Sequence, residues 1–247
     1  LCKMKSSKRN TKNIIDQASI LSKALPFMQR YSGKNITIKF GGALMGHKNL
    51  STSFAKDIVL LKQVGIDPVV VHGGGPKIKK MLDKLNVKSN FINGLRVTDK
   101  ETMNIVEMVL SGSINKEIVM EINKEGGRAI GLSGKDAFLA ETKKIKIKKT
   151  NHIENKFTDL GYVGEPTKIN QDLLNWFLKS HFIPVISPIG FDKNNDTYNI
   201  NADTMSGCVA SSISSERLIL LTDVDGVLDK KGNLLTEISL KELKRLI

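Results

Sequence analysis

The residues of this sequence that could carry chemistry begin with two glycine runs that directly follow β-branched stretches. Residues 69–76 are Val-Val-Val-His-Gly-Gly-Gly-Pro, and residues 36–42 are Ile-Thr-Ile-Lys-Phe-Gly-Gly. β-branched residues favour a buried strand, and proline favours the first position of a helix. Backbone N–H groups at a helix start point outward with the positive end of the helix dipole, and glycine lets a ligand approach closely. Both runs are therefore candidate anion sites, although a tight strand-to-helix turn without a ligand would use the same residues.

Charged side chains near these runs supply the remaining chemistry. Lys39 lies within a strand pattern, where lysine is rare without a partner, so it either meets the same anion as the following glycines or reaches solvent from an edge strand. Arg96 is predicted at the tip of a loop, where it is either solvated or free to bind a carboxylate with its planar fork. Asp203 is predicted in the first turn of a helix, and residues 222–228 follow another predicted strand.

This set of groups suits phosphoryl transfer, which needs positioning and charge neutralisation more than covalent chemistry. A carboxylate acceptor is already ionised at pH 7, with a usual pKa below about 4.5, so it requires no general base. His72 precedes the glycines, and we interpret it as a hydrogen-bonding anchor of the loop rather than as a base. The lack of an obvious base in the sequence therefore fits a carboxylate acceptor.

Familiar motifs of other sites do not fit. Residues 133–135 resemble the end of a G-x-x-x-x-G-K-[ST] loop but lack its first glycine. Gly73 and Gly75 are followed by Ile78 where G-x-G-x-x-G requires glycine. The sequence has no Cys/His pair with zinc spacing and no G-x-S-x-G elbow. We predict no dedicated metal site in the protein.

Composition bounds the class of protein. The 247 residues, 40% of them apolar, can form one large α/β domain or two lobes. Two cysteines are too few for a disulfide framework, and no apolar run reaches about 18 residues, so we predict a cytoplasmic protein without a membrane partner. The net charge of +13 comes mostly from dispersed lysines, and only 5% of residues are aromatic, so we expect anionic small substrates rather than nucleic acid.

Strand and helix patterns alternate along the chain. After the glycines, apolar residues at Ile78, Met81, Leu82 and Leu85 predict one face of a helix. The alternation predicts a mainly parallel sheet covered by helices on both faces, with ligands at the carboxyl ends of its strands. Residues 138–164 interrupt the alternation and are predicted as short strands that could cover a site.

Six segments together carry a resemblance: 38–42, 71–76, 93–98, 159–164, 199–203 and 221–228. In this order they resemble the acetylglutamate kinases of the amino-acid kinase superfamily, over essentially the whole chain. The Lys-x-Gly-Gly and Thr-Asp-Val-Asp-Gly-Val elements are shared across the superfamily, whereas Asn-Gly-Leu-Arg-Val-Thr and Asn-x-Asn-Ala-Asp are more specific. The resemblance implies the amino-acid kinase fold, a three-layer αβα sandwich.

The resemblance also implies a reaction. ATP would phosphorylate the γ-carboxylate of N-acetyl-L-glutamate, the second step of arginine biosynthesis, with Mg²⁺ bridging the phosphates. Lys39 would neutralise the transferred phosphoryl group, and Asp203 would orient the catalytic lysines through charge-assisted hydrogen bonds. Arg96 would hold the α-carboxylate of the substrate. The other implied contacts are Gly74, Gly75 and Asn199 for the substrate, and Gly41, Gly42, Thr222, Asp223, Asp225 and Gly226 for the nucleotide and its phosphates.

The N-terminal residues carry an apolar stripe that either packs on its own domain or pairs with another helix. The resemblance favours pairing with a helix of another subunit. It implies a homo-oligomer, a dimer or a hexamer built from dimers, that L-arginine inhibits. It divides the chain into an oligomerisation helix at 1–31, an amino-acid-binding and dimerisation lobe at 32–190, and a nucleotide lobe at 191–247. The stripe consists of Ile14, Ala18, Leu21, Leu25 and Met28.

The family's second catalytic lysine follows the helix that begins near Ser239. We therefore expect the C-terminal part of the fold to lie beyond Ile247, and residues 1–247 alone to have little or no activity. Three other functions remain open: another carboxylate or carbamate kinase of the superfamily, a non-catalytic amino-acid sensor, and a phosphatase. Residues 218–228 also resemble the Asp-x-Asp-Gly strand end of haloacid-dehalogenase-type phosphatases, but that class leaves the glycine runs unexplained.

Overall fold

The computed structural model describes residues 2–41, 48–148, 157–229 and 231–246. Gly42, predicted to contact phosphate, lies outside these ranges. The helices are α1 (Cys2–Tyr31), α2 (Lys48–Gln63), α3 (Gly75–Lys84), α4 (Lys100–Glu107), a π-helical segment (Met108–Ile114), α5 (Asn115–Lys124), α6 (Gln171–Lys179), α7 (Ala202–Ser212) and α8 (Leu240–Leu246). The strands are β1 (Asn35–Phe40), β2 (Asp67–His72), β3 (Phe91–Ile92), β4 (Leu95–Arg96), β5 (Ala129–Ser133), β6 (Ala140–Lys148), β7 (Phe157–Ile169), β8 (Ile183–Ser187), β9 (Ile189–Phe191), β10 (Thr197–Ile200) and β11 (Arg217–Leu221).

Five parallel strands form the central sheet in the order β11-β1-β2-β8-β5. The three valines of β2 are fully buried at its centre, as their β-branched run predicts. Parallel strands place their carboxyl ends at one edge of the sheet. Phe40 is in register with both His72 and Leu221, so the segments that follow β1, β2 and β11 start side by side.

Helices cover both faces of this sheet. On one face α2–α5 and the π-helical segment pack around Ile38, Val70 and Val185, and on the other α6 and α7 pack around Val71 and Ile186. Successive β2 side chains enter opposite clusters because side chains alternate along a strand. The predicted three-layer architecture with a mainly parallel sheet is confirmed. In α3, however, the predicted apolar face is only half buried, because Met81 and Leu85 are exposed.

A small closed barrel lies beside the sheet, in the strand order β10-β7-β6-β9. β6 and β7 pair antiparallel, as the prediction of strands for residues 138–164 requires. The barrel is tightly packed, since a Cβ added to Gly190 would lie 1.9 Å from Thr142 Oγ1. β10 leads into α7, so the barrel fixes where α7 begins. The predicted boundary between residues 190 and 191 falls within β9, and the division into lobes stays a prediction.

Helix α1 contains Pro26 and continues beyond it to Tyr31. Ile14, Leu21 and Leu25 are each more than half exposed, so the described part of the chain does not bury the apolar stripe. The end of the helix is fixed, because Tyr31 packs against the core and Arg217 Nε donates to Tyr31 Oη at 3.3 Å. None of the described helices is both long and apolar enough to cross a membrane.

Candidate active site

A cavity of about 320 Å³ opens where β1, β2 and β10 end. This volume is at the lower end of the roughly 300–1,000 Å³ found for small-molecule sites. Leu110 and Val163 add apolar surface to its wall. Another cavity, of about 660 Å³ beside α2 and α5, is larger but contains none of the predicted site residues. The predicted residues that line the smaller cavity are Lys39, Gly74, Gly75, Arg96, Asn199 and Asp203.

Lys39 is paired with Asp203 across the cavity floor. Lys39 Nζ lies 3.1 Å from Asp203 Oδ1, and the two side chains are 14% and 55% exposed. β1 is flanked by β11 and β2, so the alternative that placed Lys39 on an edge strand is wrong. Lys39 Nζ also lies 3.6 Å from the position of a Cβ added to Gly41. The ammonium is therefore held by a carboxylate and stands beside the first glycine run.

The start of α7 positions Asp203. Asn201 is the N-cap, and its Oδ1 accepts hydrogen bonds from the N–H groups of Asp203 at 2.8 Å and Thr204 at 3.1 Å. This cap fixes the first turn, which brings the positive end of the helix dipole to the cavity edge. Asp203 is thus held by its backbone as well as by its ion pair with Lys39.

The second glycine run is held by packing on one side and open on the other. The Gly73 N–H donates to Phe40 O at 2.9 Å, which joins the two glycine runs. A Cβ added to Gly74 would lie 2.6 Å from both Leu110 Cδ2 and Ile114 Cδ1. A Cβ added to Gly75 would meet no atom within 4 Å. Packing therefore restricts Gly74, whereas Gly75 leaves room for a ligand.

His72 anchors this run from below. Its Nδ1–H donates to Gly73 O at 2.9 Å, and its Nε2 accepts from Asn115 Nδ2 at 3.2 Å. Asn115 Nδ2 also donates to Val185 O at 2.9 Å, which ties the pair to β8. Burial lowers the pKa of His72 to about 4, so the ring is neutral at pH 7. With both ring nitrogens engaged, His72 has the anchoring role that we predicted, not that of a base.

Acidification should destabilise the protein through His72. Its folded pKa is about 4 and its unfolded pKa about 6.5, so the unfolded chain takes up the proton first. Its contribution to stability is complete above pH 6.5 and falls by on the order of 3 kcal/mol as the pH drops towards 4. Urea unfolding across this range should show a steeper pH dependence for the wild type than for His72→Gln. Exposed His181→Gln is the control and should keep the wild-type slope; equal slopes in all three proteins would contradict the assignment.

Arg96 lies in a two-strand hairpin of β3 and β4. The prediction that it sits at a loop tip is wrong, because Asn93 and Gly94 form the turn, with φ of 49° and 76°. These left-handed conformations suit Asn-Gly and close the hairpin two residues before Arg96. Arg96 is therefore a strand residue and is only 6% exposed.

Contacts hold the Arg96 guanidinium in place. Its Cζ lies 4.6 Å from the centre of the Phe91 ring, Nη2 donates to Gly75 O at 3.3 Å, and Nη1 donates to Ser89 Oγ. Burial lowers the pKa of Arg96 from its usual value, and the charge of Asp83 partly offsets this effect. Within the described residues no carboxylate lies within 4.0 Å of the guanidinium. Arg96 is thus fixed and available to an anionic ligand.

The predicted nucleotide residues follow the neighbouring strand. Leu221 O lies 2.8 Å from the position of a Cβ added to Gly41, so Thr222 begins beside the first glycine run. Thr222, Asp223, Asp225 and Gly226 are exposed and do not line the 320 Å³ cavity. Among the described residues no group of three His, Cys, Asp or Glu side chains could hold a metal ion.

Sequence reasoning missed two asparagines that shape the site. Asn201 had a local signal, because asparagine before a helix whose first turn carries aspartate is a typical N-cap. Asn115 had none, since its partners on β2 and β8 are distant in sequence. A Cβ added to Gly131 would lie 1.8 Å from Asn115 Oδ1, so a glycine in β5 makes room for this amide.

Known proteins resemble this chain closely. Residues 34–247 match the model of the amino acid kinase family. The chain is 51% identical over 245 residues to the acetylglutamate kinase of Parvibaculum lavamentivorans, covering 98% of this chain and 81% of that protein. The chain belongs to the acetylglutamate kinase family. The acetylglutamate kinase of Rhodospirillum centenum is 54% identical over 233 residues, with 94% and 76% covered.

A solved structure extends the likeness at the level of fold. The amino acid kinase fold of this chain superposes on N-acetylglutamate synthase from Neisseria gonorrhoeae with a TM-score of 0.78 and 22% identity. The match covers 93% of this chain and 51% of that one. At this identity the match supports the fold alone. Membership of the acetylglutamate kinases makes the chain a kinase.

Proposed function

We propose that this chain transfers the γ-phosphoryl group of ATP to the γ-carboxylate of N-acetyl-L-glutamate, the second step of arginine biosynthesis. The observation that carries the proposal is one cavity lined by both a fixed cation for a carboxylate, Arg96, and a lysine–aspartate pair, Lys39 and Asp203. A substrate with two carboxylates uses both: one is bound and the other reacts.

The substrate would lie across the cavity. Arg96 takes the α-carboxylate, and its fixed fork allows two parallel hydrogen bonds. Gly75 leaves space for the acylated backbone, Asn199 holds it from the β10 side, and Leu110 provides apolar contact. The γ-carboxylate then extends towards Lys39.

The reaction needs little covalent help from the protein. The γ-carboxylate is ionised at pH 7 and attacks the γ-phosphorus of ATP directly, so no base is required. The bond between the γ-phosphorus and the oxygen that bridges it to the β-phosphate breaks, and ADP leaves. Lys39 neutralises charge on the transferred group, and Asp203 keeps its ammonium in position. Gly41 and Gly42 would donate backbone N–H groups to the phosphates. Thr222, Asp223, Asp225 and Gly226 would border the nucleotide, and Mg²⁺ would enter with ATP as part of the substrate.

Trapping the product tests this proposal. The full-length protein is incubated with ATP, N-acetylglutamate and hydroxylamine, and the acyl phosphate is detected as its coloured iron hydroxamate. We expect colour only when both substrates are present. More hydroxamate from free glutamate than from N-acetylglutamate would favour another carboxylate kinase. Release of phosphate without hydroxamate would indicate a phosphatase. Binding of the substrate without either product would indicate a sensor.

We also propose that α1 pairs with α1 of other subunits, building a hexamer from dimers in the cytoplasm, and that L-arginine inhibits this assembly's activity. The exposed stripe supports the pairing, because Ile14, Leu21 and Leu25 lack cover from the described part of the chain. A narrow apolar seam of this kind is typical of a helix that pairs with a helix. Inhibition would act through a shift between two subunit arrangements.

Removing α1 should reduce the assembly to dimers and abolish arginine inhibition. A variant that starts at Arg30 keeps Tyr31 and its core contacts, and Leu21→Ser combined with Leu25→Ser removes only the seam. Sedimentation and activity with added arginine are measured for each. Exposed Lys23→Ser is the matched control and should remain a hexamer. Wild type and both variants sedimenting alike, or full arginine inhibition of the shortened form, would rule out this role.

A further inference from the structure

Thr98 joins two residues of the candidate substrate site that lie on separate elements. It follows β4 and is fully buried. Its Oγ1 donates to Arg96 O at 2.8 Å and accepts a hydrogen bond from Asn199 Nδ2 at 3.4 Å. One hydroxyl therefore contacts both the strand that carries Arg96 and the side chain of Asn199 on β10.

The backbone of Thr98 is fixed as well. Its N–H donates to Leu160 O at 2.8 Å, and its carbonyl accepts from the Tyr162 N–H at 2.6 Å. Between these partners lies Gly161, which has φ of 75° and whose added Cβ would lie 2.1 Å from Thr98 O. This close approach requires glycine, both for its conformation and for the space. The short β3–β4 hairpin is thereby attached to β7 of the barrel.

We infer that Thr98 is a positioning residue whose hydroxyl holds Arg96 and Asn199 at the spacing that the amino-acid substrate requires. A two-strand hairpin is too small to be rigid by itself, so the position of Arg96 depends on its attachments. The hydroxyl is the attachment that also reaches the opposite wall of the cavity. The inference rests on the proposed function, because that proposal assigns Arg96 and Asn199 to the same substrate.

Thr98→Val and Thr98→Ser form the test pair, because valine keeps the shape without the hydroxyl and serine keeps the hydroxyl. In the full-length protein Thr98→Val should raise KM for N-acetylglutamate about tenfold, since both hydrogen bonds of a buried hydroxyl are lost. KM for ATP should change less than about twofold, because the lost contacts lie on the amino-acid side. Thr98→Ser should restore KM for N-acetylglutamate to near the wild-type value.

Thr142→Val is the matched control. Thr142 is also buried, and its Oγ1 donates to Ala140 O, two residues earlier, at 3.1 Å, but it lies in β6 and does not line the cavity. It should lower stability without a selective change in KM. Equal changes in both KM values for Thr98→Val, or failure of serine to restore KM, would overturn the inference.

Amide hydrogen exchange separates this inference from the proposed function, because it needs no substrate. Thr98→Val should speed exchange at residues 89–97 and leave β1 and β2 unchanged, whereas Thr98→Ser should match the wild type. If the wild type makes no product from N-acetylglutamate, the proposed function fails, and unchanged exchange at residues 89–97 in Thr98→Val would separately overturn the positioning role.

Discussion

Lys39→Ala in the full-length protein is expected to lower kcat by about two to three orders of magnitude, while the dissociation constants of N-acetylglutamate and ATP change less than about threefold. In the proposed mechanism Lys39 neutralises charge that develops on the transferred phosphoryl group, so its contribution would be largest in the transition state. Single-turnover kinetics and equilibrium binding of each substrate measure the two effects separately.

Lys62→Ala is the matched control for this experiment. Lys62 is also mostly buried, with its side chain 15% exposed, and it pairs with Asp67 at 2.5 Å, but it does not line the cavity. It should reduce stability and leave kcat unchanged. An unchanged kcat for Lys39→Ala would show that Lys39 only supports β1 through its contact with Asp203.

Arg96→Lys should raise KM for N-acetylglutamate by about one to two orders of magnitude, with little change in KM for ATP. Lysine keeps the charge but would lose one of the two charge-assisted hydrogen bonds that we propose between Arg96 and the α-carboxylate, at a cost of roughly 1.5–3 kcal/mol. It also loses the stacking of the guanidinium on Phe91. Initial rates with each substrate varied in turn provide both constants.

Arg128→Lys separates lost substrate binding from lost stacking. Arg128 Cζ lies 4.5 Å from the centre of the Phe182 ring, a geometry like that of Arg96 on Phe91, but it does not line the cavity. We expect Arg128→Lys to leave both KM values unchanged. A parallel rise of both KM values in Arg96→Lys would contradict the carboxylate role and indicate a general loosening of the site.

Local sequence patterns were sufficient for much of this fold. The valine run of β2, its glycines and Pro76 act on neighbouring residues, so strand, loop and helix start could be predicted together. The burial of side chains between elements could not be predicted, because it depends on how the helices pack against one another and on the sheet. Met81 and Leu85 fit the periodicity of α3 but remain exposed.

In the candidate site, too, local features could be predicted from the sequence and contacts between distant segments could not. The glycines and Arg96 were identifiable as residue types, but the strand position of Arg96 depends on a two-residue hairpin that periodicity cannot resolve. The 3.1 Å contact between Lys39 and Asp203 joins residues 164 apart in sequence. The predicted role of this pair came from the resemblance, since no sequence pattern near Lys39 or Asp203 indicates that the two residues are in contact. Thr98 and Asn115 were missed for this reason: their partners belong to other elements.

In the proposed reaction the γ-carboxylate of N-acetylglutamate receives the phosphoryl group of ATP while Arg96 holds the α-carboxylate. Phosphorus NMR of the product made from N-acetylglutamate labelled with oxygen-18 identifies which carboxylate receives the phosphoryl group. Label in the γ-carboxylate should give an acyl-phosphate resonance with the isotope shift of a bridging oxygen-18, and label in the α-carboxylate should give the same resonance unshifted. A shift from the α-label, or ADP and inorganic phosphate as the only new resonances, would rule out this reaction.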